Sequence, residues 1–274
     1  MEEIKKKQIQ SMVDLAITSF AAGFELRHVE DLGNPEGVIN KKKNNVFMAE
    51  LGDEFMFYSA LVRSFDSSFG NLLENLGNSI ATLSYDVRDK IDSFLLDDQE
   101  RIIDSIISKY DTDAQHRVAP SSSHYNTATF ILPKNIDSYK RAHHTDNYFF
   151  DPVNKIHYLI ELKAGGDLDK KKAPSEKREL LKEYFMLKNV IPDLEDVRIF
   201  FCAAYNKNGE DNYWYQPFVR SAFADDELLI GKDYWNFVCN DINGFDVVME
   251  QYRISATKIQ SAIDKIKDLY FADK

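Results

Sequence analysis

Cysteine is nearly absent from this chain: Cys202 and Cys239 are the only two in 274 residues. Two thiols cannot define a disulfide framework, and each reads as a free buried thiol suited to a reducing cytoplasm. Long apolar runs are also missing; no stretch of 18 apolar residues occurs, so no membrane span is expected. The charged start Met1-Glu2-Glu3-Ile4-Lys5-Lys6-Lys7 has no apolar stretch behind it of the kind a secretory signal needs. A cytoplasmic location is the expectation. No Gly-rich loop ends in Gly-Lys-Ser/Thr, no cysteines cluster as for zinc, and no Gly-x-Ser-x-Gly elbow appears. These absences set aside P-loop nucleotide hydrolysis, zinc modules and serine hydrolases. A basic surplus is lacking too, the net charge being −11. That sum covers every face, however, and a polyanion meets only one. Residues 134–182 hold 11 basic and 8 acidic side chains, a local excess of positive charge.

What is present divides near residue 112. Before it the pattern is helical. Ile9, Met12, Val13, Ile17 and Phe20 recur at helical spacing over 5–22. Gly33-Asn34-Pro35-Glu36-Gly37 and Lys41-Lys42-Lys43-Asn44-Asn45 read as an exposed loop. Helical spacing resumes over 46–64. Ser67 or Ser68 can cap another helix to about Leu83, and residues 86–110 add one more. From Asp111 to Ser123 the chain is polar and turn-rich. Thr127 to Leu132 is then β-like, as are Asn147-Tyr148-Phe149-Phe150 and Ile156 to Lys163, joined by the turn Asp151-Pro152-Val153-Asn154-Lys155. Two such runs around a five-residue turn predict a hairpin. Pro174-Ser175 opens a helix to about Asn189 with Ser175 as N-cap, Arg198 to Tyr205 is a buried strand, and Phe245 to Tyr270 is a long helix.

The hairpin carries the chemistry. Fourteen residues separate Asp146 from Glu161-Leu162-Lys163. Alternate strand residues share a face, so Glu161 and Lys163 project together. The hairpin returns Asp146, at the start of its first strand, beside them. Two carboxylates converging at a strand end form a hard oxygen site suited to Mg²⁺, completed by the Leu162 carbonyl and water. Such an ion polarises a phosphodiester and acidifies a bound water. Lys163 would orient or help deprotonate that water and offset developing negative charge. Asp151, ten residues before Glu161, is the competing first acid; its place in the turn suits it to shaping that turn.

The segment from Asp146 to Lys163 resembles the active-site hairpin of the PD-(D/E)xK nuclease superfamily, which includes most type II restriction endonucleases. The proline that often precedes the first acid is replaced by Thr145. By position, the resemblance implies Asp146 and Glu161 as metal ligands and Lys163 as catalytic lysine. It also implies a central mixed sheet flanked by helices and Mg²⁺-dependent cutting of DNA. Ser67 to Glu74 is similar to an early helix that lends such sites an auxiliary acid, which makes Glu74 a candidate. Leu228 to Phe237 is similar to a late segment of several restriction endonucleases, with Trp235 and Phe237 as core residues.

Basic and polar residues around the hairpin are candidates for DNA contact: Arg141, His143 and His144 before it, and Lys170, Lys171 and Lys172 in the loop after Gly165-Gly166. Ser175, Lys177, Arg178 and Lys182 extend the set onto the next helix. The glycines would let backbone approach a phosphate, and lysines neutralise its neighbours. The expectation is therefore an α/β restriction-endonuclease-like fold, with a helical portion at 1–110 for dimerisation or recognition and a catalytic core at 111–274. Its leading function is type II restriction, the Mg²⁺-dependent, sequence-specific cutting of both strands of double-stranded DNA by a homodimer paired with a cognate DNA methyltransferase. A repair or mobile-element nuclease of the same fold, and a non-catalytic DNA-binding module, are the alternatives.

Overall fold

The computed structural model describes residues 1–112, 123–126, 130–133, 140–192 and 194–272, with the side chains of 109–112, 123, 124 and 146 outside that description. The chain forms two compact units, one of residues 1–80 with 246–274 and the other of 81–245.

The first unit is helical. It holds α1 (Glu3–Leu32), the 3₁₀ turn Asn40–Asn44, α2 (Val46–Ala49), α3 (Asp53–Ala81) and most of the last helix, Gly244–Phe271. Phe24, Phe57, Leu61, Ile266 and Tyr270 are buried together, and Ser255 Oγ and Lys258 Nζ both donate to Asp14 Oδ1, at 2.6 and 2.7 Å. Two helices were expected where α3 runs unbroken. Ser68 is not a cap: its hydroxyl bonds back to the Ser64 carbonyl one turn earlier, at 2.8 Å, a bond compatible with helix interior. The long C-terminal helix, grouped by sequence with residues 111–274, lies mostly in this unit.

Among the described residues, the second unit holds a five-stranded sheet in sequential order. Its strands are β1 (Asp86–Ser93), β2 (Arg141–Asp151), β3 (Ile156–Lys163), β4 (Asp196–Ala203) and β5 (Leu228–Ile230). The first three pair antiparallel and the last three parallel. This is the mixed sheet with flanking helices expected from sequence. Its helices are α4 (Asp97–Thr112), α5 (Ser123–Asn126), α6 (Lys172–Lys188), α7 (Pro217–Arg220) and α8 (Lys232–Val238); the long C-terminal helix is α9. Residues 86–110 are corrected from one helix to β1 followed by α4. In β1, Asp86-Val87-Arg88-Asp89-Lys90-Ile91-Asp92-Ser93, charges dominate and hide a strand whose partner lies some sixty residues away. Of the β-like run at 127–132, residues 127–129 lie outside the described residues, and Phe130 to Leu132 has no regular structure.

β3, α6 and β4 form a parallel crossover unit. Leu159, Leu180, Leu181, Tyr184, Phe185 and Phe201 bury the face beneath α6. Full burial of one such side chain contributes roughly 1.5–3 kcal/mol. Aromatic rings fill the opposite face, where Phe237 of α8 meets Tyr85, Tyr158 and Phe200, and the Tyr85 hydroxyl donates to the Phe237 carbonyl at 2.9 Å. Trp235 Nε1 donates to the Ala204 carbonyl at 2.8 Å, so Trp235 and Phe237 are the core residues expected.

Lys177 is corrected from a DNA contact to a core residue. It is fully buried, ion-paired with buried Glu227, and lies over the rings of Tyr125 and Phe223. Glu227 also accepts from the Tyr125 hydroxyl and from the Ala224 backbone N–H at 2.9 Å, so the buried carboxylate is fully engaged.

Candidate active site

The candidate residues meet where β2 parts from β3. Their pairing ends at Asn147 with Ile160, leaving Asp146 and Glu161 as the next residue on each strand. Asp146 does not start its strand, as the hairpin pattern had suggested; β2 begins five residues earlier. On its other side β2 is irregular. Arg88 pairs with Tyr148 and Lys90 with His144, so Asp89 alone stands against Thr145, Asp146 and Asn147. Asp146 is thus the middle residue of a bulge. Bulges interrupt the two-residue alternation and re-aim strand segments beside sites. Asn147 Oδ1, in the same bulge, is buried without a hydrogen-bond partner among the described residues.

Glu161 and Lys163 share one face, as alternation requires, and form an ion pair. Glu176, in the first turns of α6, reaches the same ammonium at 3.3 Å. Burial is the largest influence on Lys163 and pulls its pKa down, but the bond and charge of Glu161 and the charge of Glu176 outweigh it and raise it above 10.5. Lys163 therefore stands as an ammonium between two carboxylates. Beside it lies a cleft of ≈ 230 Å³ lined by His143, His144, Thr145, Glu161, Glu176 and Glu183, among others. Glu183 is buried; its Oε2 accepts from Thr145 Oγ1 at 3.1 Å, and its Oε1 lies 3.2 Å from His143 Nε2. Glu176, Glu179 and Glu183 fall on one face of α6 at helical spacing, a row visible in the sequence once the helix is known. None of the three was singled out from sequence.

Asp151 is committed to the turn. Its carboxylate accepts from the backbone N–H groups of Val153 and Asn154 and from the Asn154 amide, at 2.9, 3.0 and 2.7 Å. Burial alone would raise its pKa; these bonds hold it below 3.8.

After Lys163 the chain turns away through Gly165 and Gly166. A Cβ on Gly165 would lie 2.6 Å from the Tyr205 hydroxyl, and Gly166 has φ +72° with Trp214 against it. A side chain at either position would collide with this packing. Ser175 is not the N-cap of α6, which begins at Lys172; Asp169 Oδ1 caps it by accepting from the N–H groups of Lys171 and Lys172 at 2.9 and 2.8 Å. Arg141, His144, Lys170, Lys171, Lys172 and Ser175 are exposed, while Arg178 is half-buried and paired with Asp104 of α4. Glu74 lies on α3, in the first unit.

The donor chemistry of the site suits a hard divalent cation. Glu161 is a part-buried carboxylate at the end of a parallel strand, where ligands of open α/β sheets bind. Carboxylate and carbonyl oxygens are the ligands such ions take. Among the described residues no three His, Cys, Asp or Glu side chains are gathered to hold a metal ion. The expected set needs two carboxylates and the Leu162 carbonyl, and the Asp146 side chain is outside the described residues.

Residues 5–255 match the family model of the type II restriction endonuclease HinfI. The chain belongs to the HinfI family of type II restriction endonucleases. No curated protein and no solved structure matches it. Family membership over nearly the whole chain agrees with the fold and implies DNA as the substrate. Among the described residues no helix is long and apolar enough to cross a membrane.

Proposed function

We propose that this HinfI-family chain is a Mg²⁺-dependent, site-specific deoxyribonuclease of the PD-(D/E)xK type that hydrolyses both strands of double-stranded DNA. The observation that carries this reading is the meeting of Glu161, Lys163 and Glu176 at the C-terminal end of β3, beside the bulge that contains Asp146. Asp146, Glu161 and the Leu162 carbonyl would hold the ion. When bound there, Mg²⁺ would polarise the scissile phosphodiester and lower the pKa of a bound water. Lys163 would act as a fixed positive charge beside the attacked phosphate, stabilising charge that develops in the transition state. Glu176 holds that ammonium in place from α6. Without a cation, the acidic cleft would repel phosphate, so cleavage should stop when the metal is chelated.

Arg141, His144, Lys170, Lys171, Lys172, Ser175 and Arg178 remain candidates for DNA contact, with Lys177 removed from the set. A homodimer would place one such site on each strand of a palindromic target. A cognate methyltransferase would protect the host site.

Digesting a phage genome with the purified protein and Mg²⁺ should give discrete bands, and none once EDTA is added. A smear would point to a nuclease of another role, and no cutting under any divalent cation would contradict the reading.

A further inference from the structure

We propose that Glu183 of α6 is a positioning residue for the metal site, acting through Thr145 on the bulge that contains Asp146. This rests on the reading of Asp146 as a metal ligand. Three β2 residues oppose one of β1 at this point, and pairing with β3 begins only at Asn147. The ladder therefore does little to fix Thr145 and Asp146, and something else must. Glu183 supplies the tie. One carboxylate oxygen takes the Thr145 hydroxyl at 3.1 Å and the other faces His143 at 3.2 Å, so the first residue of the bulge and the strand just before it are held by the same side chain.

The anchor is itself rigid. Leu180, Leu181, Tyr184, Phe185 and Leu187 flank Glu183 on α6 and are buried in the core beneath the sheet. A carboxylate this buried is costly unless its oxygens are engaged, and here β2 engages both of them. A mixed pair of threonine and glutamate also accounts for the residue that stands where the related motif often has proline. Proline fixes its own backbone angle, whereas Thr145 is fixed from outside. Groups that orient metal ligands typically change metal affinity 10–100-fold when removed.

The test is calorimetric titration of the full-length protein with Mn²⁺ in the absence of DNA, beside the Mg²⁺ concentration that half-saturates cleavage. Glu183→Ala should weaken Mn²⁺ binding about tenfold or more and raise the Mg²⁺ requirement to match. Thr145→Val, nearly isosteric and less exposed to folding defects, should do the same. The double variant should add little beyond either single change, since both remove one interaction. Glu183→Gln keeps an acceptor for the Thr145 hydroxyl and should recover part of the loss. Unchanged Mn²⁺ affinity in Thr145→Val would overturn the proposal, even if Glu183→Ala binds weakly, because Glu183 would then act by a route other than the bulge. Asp146→Asn is titrated alongside. If it binds Mn²⁺ as tightly as the unaltered protein, the assignment of Asp146 has failed; if it loses binding while Thr145→Val keeps it, the role of Glu183 alone has failed.

Discussion

Glu161→Ala should lower the rate of DNA cleavage by about a thousandfold or more at saturating Mg²⁺, equivalent to ~4 kcal/mol of lost transition-state stabilisation. Two functions leave with this side chain. It is the described carboxylate of the proposed metal set, and with Glu176 it pairs with the Lys163 ammonium. Glu161→Gln separates them, because an amide can still accept from Lys163 but lacks the negative charge a carboxylate brings to a hard cation. It should lose nearly as much activity as the alanine variant while melting at a similar temperature to the unaltered protein. Plasmid nicking and linearisation rates measure the effect. A Glu161→Gln protein within about tenfold of normal activity would make Glu161 a counter-ion for Lys163 and nothing more.

Glu227→Ala should be the most damaging change remote from the chemistry, destabilising the fold by roughly 3–5 kcal/mol in urea denaturation. Lys177 is completely buried, and Glu227 is its ion-pair partner. Removing that partner leaves a buried ammonium uncompensated and also strips an acceptor from the Tyr125 hydroxyl and the Ala224 N–H. Against a total stability of about 5–15 kcal/mol, such a loss threatens folding at ordinary temperature. Replacing both members, as Lys177→Met with Glu227→Leu, should recover much of the loss, because an apolar pair has no charge to compensate. Lys177→Met should leave DNA affinity unchanged wherever it folds. A strong fall in DNA affinity with intact folding would reinstate Lys177 as a DNA contact.

The Lys177 case shows what was legible and what was misread. Leu180 and Leu181 lie three and four residues beyond it, so helical spacing already placed it on the inward face; its charge suggested the outward one. The β3 strand was readable because apolar residues run up to Glu161-Leu162-Lys163 and glycines end it. The β1 strand was not, because five of its eight residues are charged and its stability comes from pairing with β2. The bulge at 145–147 was invisible for a related reason. A period-two pattern read from one strand carries no information on how many residues its neighbour supplies. Glu176 and Glu183 carry no sequence signal because acids on a helix usually face water; only the crossover of α6 against β2 and β3 turns this row toward the site.

Lys163→Ala separates hydrolysis at the β3 end from mere binding of DNA there. DNA affinity is measured in Ca²⁺ by fluorescence anisotropy, and cleavage of the same duplex is measured in Mg²⁺. Hydrolysis at the β3 end predicts affinity within about threefold of the unaltered protein and no measurable cutting. Undiminished cutting by Lys163→Ala would contradict it.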